Sequence, residues 1–255
     1  IAAGAFYIVY LLLFQNSKQF TFNRFYLPVS LAISFVIPLI TFTAVKYIEP
    51  GPVFDFNSFA YLAEASEIPI ESIFVFEWYH YLFATYILGA LGFLLYLVLG
   101  HYKALIIVQQ SWLKKLFNIK VNITKNDVHP FSFFNKIVLS ENTLSHPDLE
   151  MIVQHENIHV KEKHTLDILF AELLFLFQWF NPFAWLIKDA MKNNLEYKTD
   201  HQIAKNHNPQ AYQLAMVGLA HKKGVAPFLN ALNGSQLKNR IIMMKKKTEN
   251  KYAFL

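Results

Sequence analysis

His155-Glu156-Asn157-Ile158-His159 is the stretch on which the reading of this chain turns. It follows Ser145-His-Pro-Asp-Leu-Glu150, which has the marks of a helix start. Pro147 suits a first turn there, and Asp148 and Glu150 favour the positive end of the helix dipole. A spacing of four is about one helical turn, so both imidazoles project from one face and can grip one Zn2+. Glu156 stands beside them, where its carboxylate can take a proton from a water activated by the metal. The sequence has no cysteine, so disulfides and thiolate ligands are excluded, and any metal is held by histidine and carboxylate.

Tetrahedral zinc needs a third protein ligand and leaves its last position for water. A metzincin would need glycine three residues and histidine six residues after His159; those positions are Glu162 and Thr165. His164 falls one place too early and reads as a polar residue near the helix end. Glu162 shares a face with the histidines, but it rides on the same rod and converges poorly on one ion. Glu196 is the better candidate. It opens Glu196-Tyr-Lys-Thr-Asp200, which puts two carboxylates on one face of a second helix. Glu196 can ligate, and Asp200 can accept the outward N–H of a ligand histidine and fix its tautomer. The competing reading is a solvated face on which Glu196 and Asp200 answer Lys192 and Lys198. Tyr197, His201 and His207 are the candidates for stabilising an oxyanion.

Working outward, the composition suggests a membrane protein. Apolar residues make up 54% and charged residues 16%, against roughly 25% charge in soluble domains. Three apolar stretches read as spans, at about residues 1–14, 26–45 and 78–99, with Trp78, Tyr79 and Tyr81 as an interfacial belt on the third. The first is expected to be a truncated span of a longer protein, and residues 252–255 the start of a truncated final one. Only Lys18, Arg24 and Lys46 of the 23 basic residues precede residue 100, whereas the 46–77 loop is acidic. The positive-inside rule then places the 15–25 loop and everything from His101 onward in the cytoplasm of a bacterial inner membrane. A nucleic-acid partner is not expected, because the lysines flank apolar segments and no nucleic-acid motif accompanies them.

The organisation follows: a transmembrane region over 1–99 and a cytoplasmic zinc peptidase domain over 100–251. Phe117, Ile119, Val121 and Ile123 alternate with polar residues as in a half-buried strand, and β-prone sequence resumes over 131–139 after a turn at Asn126-Asp127. The strand near 131–134 could add a substrate segment by β-augmentation. The apolar segment 165–187 is interrupted by Asp167, Glu172, Gln178 and Asn181-Pro182 and carries lysines at both ends. It is expected to be buried, membrane-resting or re-entrant rather than a simple crossing. A crossing would strand Glu196 across a core ~30 Å thick from His155. Asp167 and Glu172 find no assignment. His80 and His101 read as interfacial, and His146 and His221 as loop or surface residues.

HExxH, an apolar stretch ending Trp179-Phe-Asn-Pro-Phe-Ala-Trp185, and then ExxxD together resemble the BlaR/MecR-type membrane zinc peptidases, metallopeptidase family fifty-six. Asn23-Arg-Phe-Tyr-Leu27, His129-Pro-Phe-Ser-Phe133 leading into Lys136-Ile-Val-Leu139, and Asn233-Gly-Ser-Gln-Leu-Lys-Asn-Arg-Ile241 extend the resemblance over nearly the whole chain. The Asn-Arg-Phe-Tyr-Leu version is similar to a Bacteroidetes branch. The resemblance implies a mainly α membrane protein with a cytoplasmic α+β gluzincin metallopeptidase domain. Metal ligands would be His155, His159 and Glu196, the general base Glu156, and Asp200 their support. It also implies a signalling role, cleaving a cytoplasmic transcriptional repressor or the protein itself. The chain stops where the family's last span and external sensor would follow, so antibiotic sensing is not implied. Two other functions fit HExxH in a membrane protein. One is a housekeeping protease of the CAAX-processing or heat-shock type, which usually has two genuine spans between the motifs. The other is a non-enzymatic transducer with a structural metal, which has no need of Glu156.

Overall fold

Apolar residues dominate the described parts of the first hundred residues, which fold as helices packed on one another and on elements late in the sequence. The computed structural model describes residues 1–40, 77–221 and 227–246, with side chains to 218 and from 236. The acidic loop, residues 41–45 of the second expected span, and residues 252–255 lie outside the described residues. Helix α1 (Ala2–Val9) continues into a π-helical turn, Tyr10–Phe14. Helix α2 (Phe20–Val36) ends in a short 3-10 turn, Ile37–Leu39, and helix α3 runs over Trp78–Gln109.

Two of these helices, Phe20–Leu39 and Trp78–Gln109, are long and apolar enough to cross a membrane. The second expected span was placed at 26–45, but its helix begins six residues earlier, at Phe20. Arg24, which argued for a loop, has its charge met inside the helix. Arg24 is paired with Glu162 and Asp167, and Asn23 donates to the Phe14 carbonyl at 3.3 Å. The third helix continues beyond residue 99 through His101 and Lys103, because these residues change the surface of a helix without breaking it. At 32 residues it is about 48 Å long, more than a ~30 Å hydrocarbon core requires.

Four strands follow: β1 (Trp112–Leu116), β2 (Ile119–Thr124), β3 (Phe131–Phe133) and β4 (Lys136–Ser140). They form one sheet in the order β1-β2-β4-β3, with β2 and β4 parallel and the outer pairs antiparallel. Strand β1 was not expected. Phe117, taken as the start of a strand, is instead a turn residue. Phe117 and Asn118 have φ of 48° and 65°, the double positive φ of a tight hairpin loop, and this folds Trp112–Leu116 back onto β2. Val121, Ile123, Ile137 and Leu139 point to one face and pack on Ile152 and Val153 of helix α4 (Leu149–Lys161). The sheet therefore holds the HExxH helix from behind. His146 lies in a loop, one of the two placements expected, but it is buried there and accepts from the Asp148 amide at 3.1 Å.

The interrupted segment 165–187 is a helical hairpin. Helix α5 (His164–Phe177) stops after Phe177, and α6 (Pro182–Asn206) restarts with Asn181 as its cap, its side chain accepting from the Phe183 amide, and Pro182 in its first turn. The hairpin shares its core with the N-terminal helices: Ala3, Tyr10, Leu27 and Leu31 pack with Ala171, Phe175, Ala184 and Ile187. Gly89 of α3 takes the Trp179 indole where a Cβ would lie 2.1 Å from the ring, so the third helix docks on the tip of the hairpin. Helices α7 (Pro209–His221) and α8 (Pro227–Lys245) close the site from the far side.

Candidate metal centre

Helix α4 presents His155 and His159 one turn apart, and α6 crosses it so that Glu196 reaches them. The two Nε2 atoms lie 3.2 Å apart. Glu196 offers one oxygen to each ring, Oε2 at 3.5 Å from His155 and Oε1 at 3.5 Å from His159. Bonds of about 2.0–2.2 Å in a tetrahedron place ligand atoms about 3.3–3.6 Å apart, so these separations match the edges of a zinc-sized site. Among the described residues, His155, His159 and Glu196 are the one group of histidine and acidic side chains close enough to hold an ion. Two imidazoles and a carboxylate suit zinc, and also other divalent metals that accept nitrogen and oxygen.

The outer nitrogen of His155 is engaged by a residue the sequence reading missed. Its Nδ1 lies 2.8 Å from the Tyr212 hydroxyl, which donates to Asp200 Oδ1 at 2.7 Å. Asp200 is thus near His155, but at 3.8 Å it does not accept the imidazole proton directly, as was expected; Tyr212 relays the contact. Asp200 is fully buried. It is compensated by Arg240, which donates to it through Nε at 2.8 Å and Nη2 at 2.7 Å and reaches Glu196 Oε2 with Nη1 at 3.0 Å. Burial, then the charge of Asp200, pushes the Tyr212 phenol far above its usual range, so it remains a donor. Nothing local in α7 announces Tyr212. Arg240 lies in the Asn233–Ile241 motif, whose role no spacing rule reveals.

His164 was also misread. It is 1% exposed, and its Nδ1 lies 2.9 Å from the Nδ1 of His159. On an unbroken helix, residues five apart face about 140° away from each other. Lys163, at φ 58° and ψ 37°, breaks α4 from α5 and turns His164 back. Of the oxyanion candidates, His201 packs at a tilt against the Phe20 ring and His207 bonds Gln154 at 2.6 Å, which gives both other employment. Asp167 pairs with Arg24, and Glu172 lies 3.4 Å from His101.

The protein's own groups polarise the site. Burial alone would raise the Glu196 carboxyl, but its bond to His155 and the charge of Arg240 hold it well below the usual carboxylate range. It is an anion ready to ligate. His159 is pushed down to about 4, mainly by burial, which keeps its lone pair free at neutral pH. Burial opposes charge on His155 too, yet its bond to Glu196 outweighs this and raises its pKa. Glu156 is raised, by burial and then by repulsion from Glu196, against the pull of His155 and a hydrogen bond from Ser132 of β3. A carboxylate lifted in this way is a better proton acceptor.

A histidine pair and a distant carboxylate gathered on crossed helices, with a raised glutamate beside them, define a site of the metallopeptidase class. The chain belongs to the BlaR1 peptidase M56 family, whose profile matches residues 2–244. The match takes in the helices long and apolar enough to span a membrane as well as the site. No curated protein matches the sequence significantly.

Proposed function

We propose that this protein is a zinc-dependent endopeptidase of the gluzincin kind, embedded in the bacterial inner membrane with its active site on the cytoplasmic side. The convergence of Glu196 on the Nε2 atoms of His155 and His159 carries the reading. Zn2+ bound there supplies a Lewis acid that acidifies water and polarises a peptide carbonyl. Glu156 takes the proton of the attacking water and passes it to the leaving amine. Tyr212 and His164 keep the imidazoles in the tautomers that offer Nε2.

Strand β3 pairs with β4 alone among the described residues and packs on helix α4, which carries Glu156, so an extended substrate adding to the free edge of β3 would pass near the base. The substrate is a cytoplasmic regulator, such as a transcriptional repressor, or the protein itself, and cleavage passes on a signal. Lysines in excess after residue 100 support the orientation. Glu156 is idle in a purely structural metal site, which disfavours the transducer alternative.

Metal analysis and proteolysis test the proposal together. Glu196→Ala is expected to lose nearly all bound zinc. Glu156→Gln is expected to keep its zinc but lose cleavage of an unfolded protein such as casein by about 10²–10⁴-fold. Full zinc retention in Glu196→Ala, or undiminished cleavage by Glu156→Gln, would refute it.

A further inference from the structure

The two nitrogens facing each other between His159 and His164 share one hydrogen, and its position decides whether His159 can ligate. A neutral His159 that presents the Nε2 lone pair carries its proton on Nδ1. His164 must then accept at its own Nδ1 and carry its proton on Nε2. The opposite arrangement leaves His159 Nε2 protonated and closed to a cation. The surroundings of His164 Nε2 select between the two. That atom is buried and has no hydrogen-bond partner among the described residues, and Glu162 Oε2 lies 3.8 Å from it. The distance is too long for a hydrogen bond, but a carboxylate oxygen facing that nitrogen suits an N–H better than a lone pair.

Glu162 is held from outside α4. Its Oε2 accepts from Arg24 Nη1 at 2.9 Å and from Lys198 Nζ, and its Oε1 from Gln202 Nε2 at 2.6 Å. Arg24 sits in the second turn of α2, one of the two helices able to span a membrane. Its Nη2 also donates to the Glu162 carbonyl at 2.7 Å, while Nε and Nη2 fork onto Asp167 at 3.0 and 2.7 Å. One guanidinium therefore ties α2 to the end of α4 and the first turn of α5, the two elements whose junction aims His164.

We propose that His164 is a positioning residue for His159, and that Arg24 couples helix α2 to the metal centre through Glu162 and His164. The inference rests on the reading of His155, His159 and Glu196 as ligands. A shift of α2 that withdraws Arg24 frees the Glu162 carbonyl and Asp167, loosens the corner that holds His164 Nδ1 against His159, and weakens the metal site. A membrane event is thereby converted into a change at the ion.

The test uses the full chain in detergent, with Zn2+ affinity measured by chelator competition and thermal unfolding followed with and without Zn2+. His164→Leu, which cannot accept from His159, is expected to lose about 10–100-fold in affinity. His164→Asn, whose side-chain carbonyl can accept, is expected to recover most of it. Arg24→Gln is expected to lose about tenfold, and the His164→Leu/Arg24→Gln double variant to bind no more weakly than His164→Leu alone, because Arg24 acts through His164. The gap between zinc-loaded and zinc-free unfolding temperatures narrows in both single variants; a merely structural role would lower both temperatures and leave the gap intact. Glu162→Gln carries the same comparison if Arg24→Gln loses cooperative unfolding. Wild-type affinity in the variants, or losses that multiply in the double variant, overturn the coupling. No zinc uptake by the wild type overturns the ligand assignment, and the coupling with it.

Discussion

His155 and His159 leave the same face of α4 one turn apart, yet their outer nitrogens are held from opposite ends of the chain. The support of His155 comes from late elements: Tyr212 on α7, Asp200 on α6 and Arg240 on α8. Every link in it is a hydrogen bond of 2.8 Å or less, and its carboxylate is wholly out of water. The support of His159 runs through His164 to Glu162 and Arg24. It contains a 3.8 Å gap, and its ion pair is about one fifth exposed on each side. A closed, dry network holds one geometry, because breaking it strands a buried charge. A network with a gap and partial hydration shifts at lower cost, and in this molecule it is the one attached to a membrane-length helix. The two imidazoles of the candidate site thus have unequal freedom.

The comparison breaks most readily at Arg240. Arg240→Leu leaves Asp200 buried without a cation and is expected to destabilise the metal-free protein by about 3–5 kcal/mol. Chemical denaturation measures it, and a loss under about 1 kcal/mol would mean that water reaches Asp200. Tyr212→Phe should act more gently. It removes the hydroxyl between His155 and Asp200 without emptying its space, so zinc affinity should fall about tenfold in competition assays. An unchanged affinity would show that His155 needs no such holder, and that the two sides are more alike than their geometry suggests. The smallest effect is expected at the corner that aims His164. Lys163 holds a left-handed conformation that costs a side-chain-bearing residue about 1–2 kcal/mol. Lys163→Gly should therefore be stable to slightly more stable than wild type, by up to about 1 kcal/mol, with zinc affinity unchanged. A clear loss of affinity would mean that the lysine itself, and not the corner, positions His164.

Much of this was legible in the residues. Helical spacing in HExxH and ExxxD put two imidazoles on one face and two carboxylates on another. The polar breaks in 165–187 argued against a simple crossing and left a buried helix, a membrane-resting helix or a re-entrant hairpin open; the helical hairpin that forms allows the two faces to meet. Alternation identified β2, and apolar length identified α3. The errors share a cause, which is that local rules were applied where a distant residue decides. Phe117 alternates like a strand residue but turns, because β1 pairs back onto β2. Arg24 looks like the end of a loop until Glu162 and Asp167, far along the chain, neutralise it. His164 was set aside as one place too early for a metzincin ligand, and the left-handed Lys163 turns it back onto His159.

By itself, then, the sequence determined which atoms could bind an ion and which segments prefer lipid, since both follow from short-range periodicity and side-chain chemistry. Only the tertiary structure decided what stands behind each candidate ligand. Tyr212, Arg240 and Arg24 reach the site through crossings of helices remote in sequence. The energy of such contacts depends on distance and burial in three dimensions, which no spacing along the chain encodes.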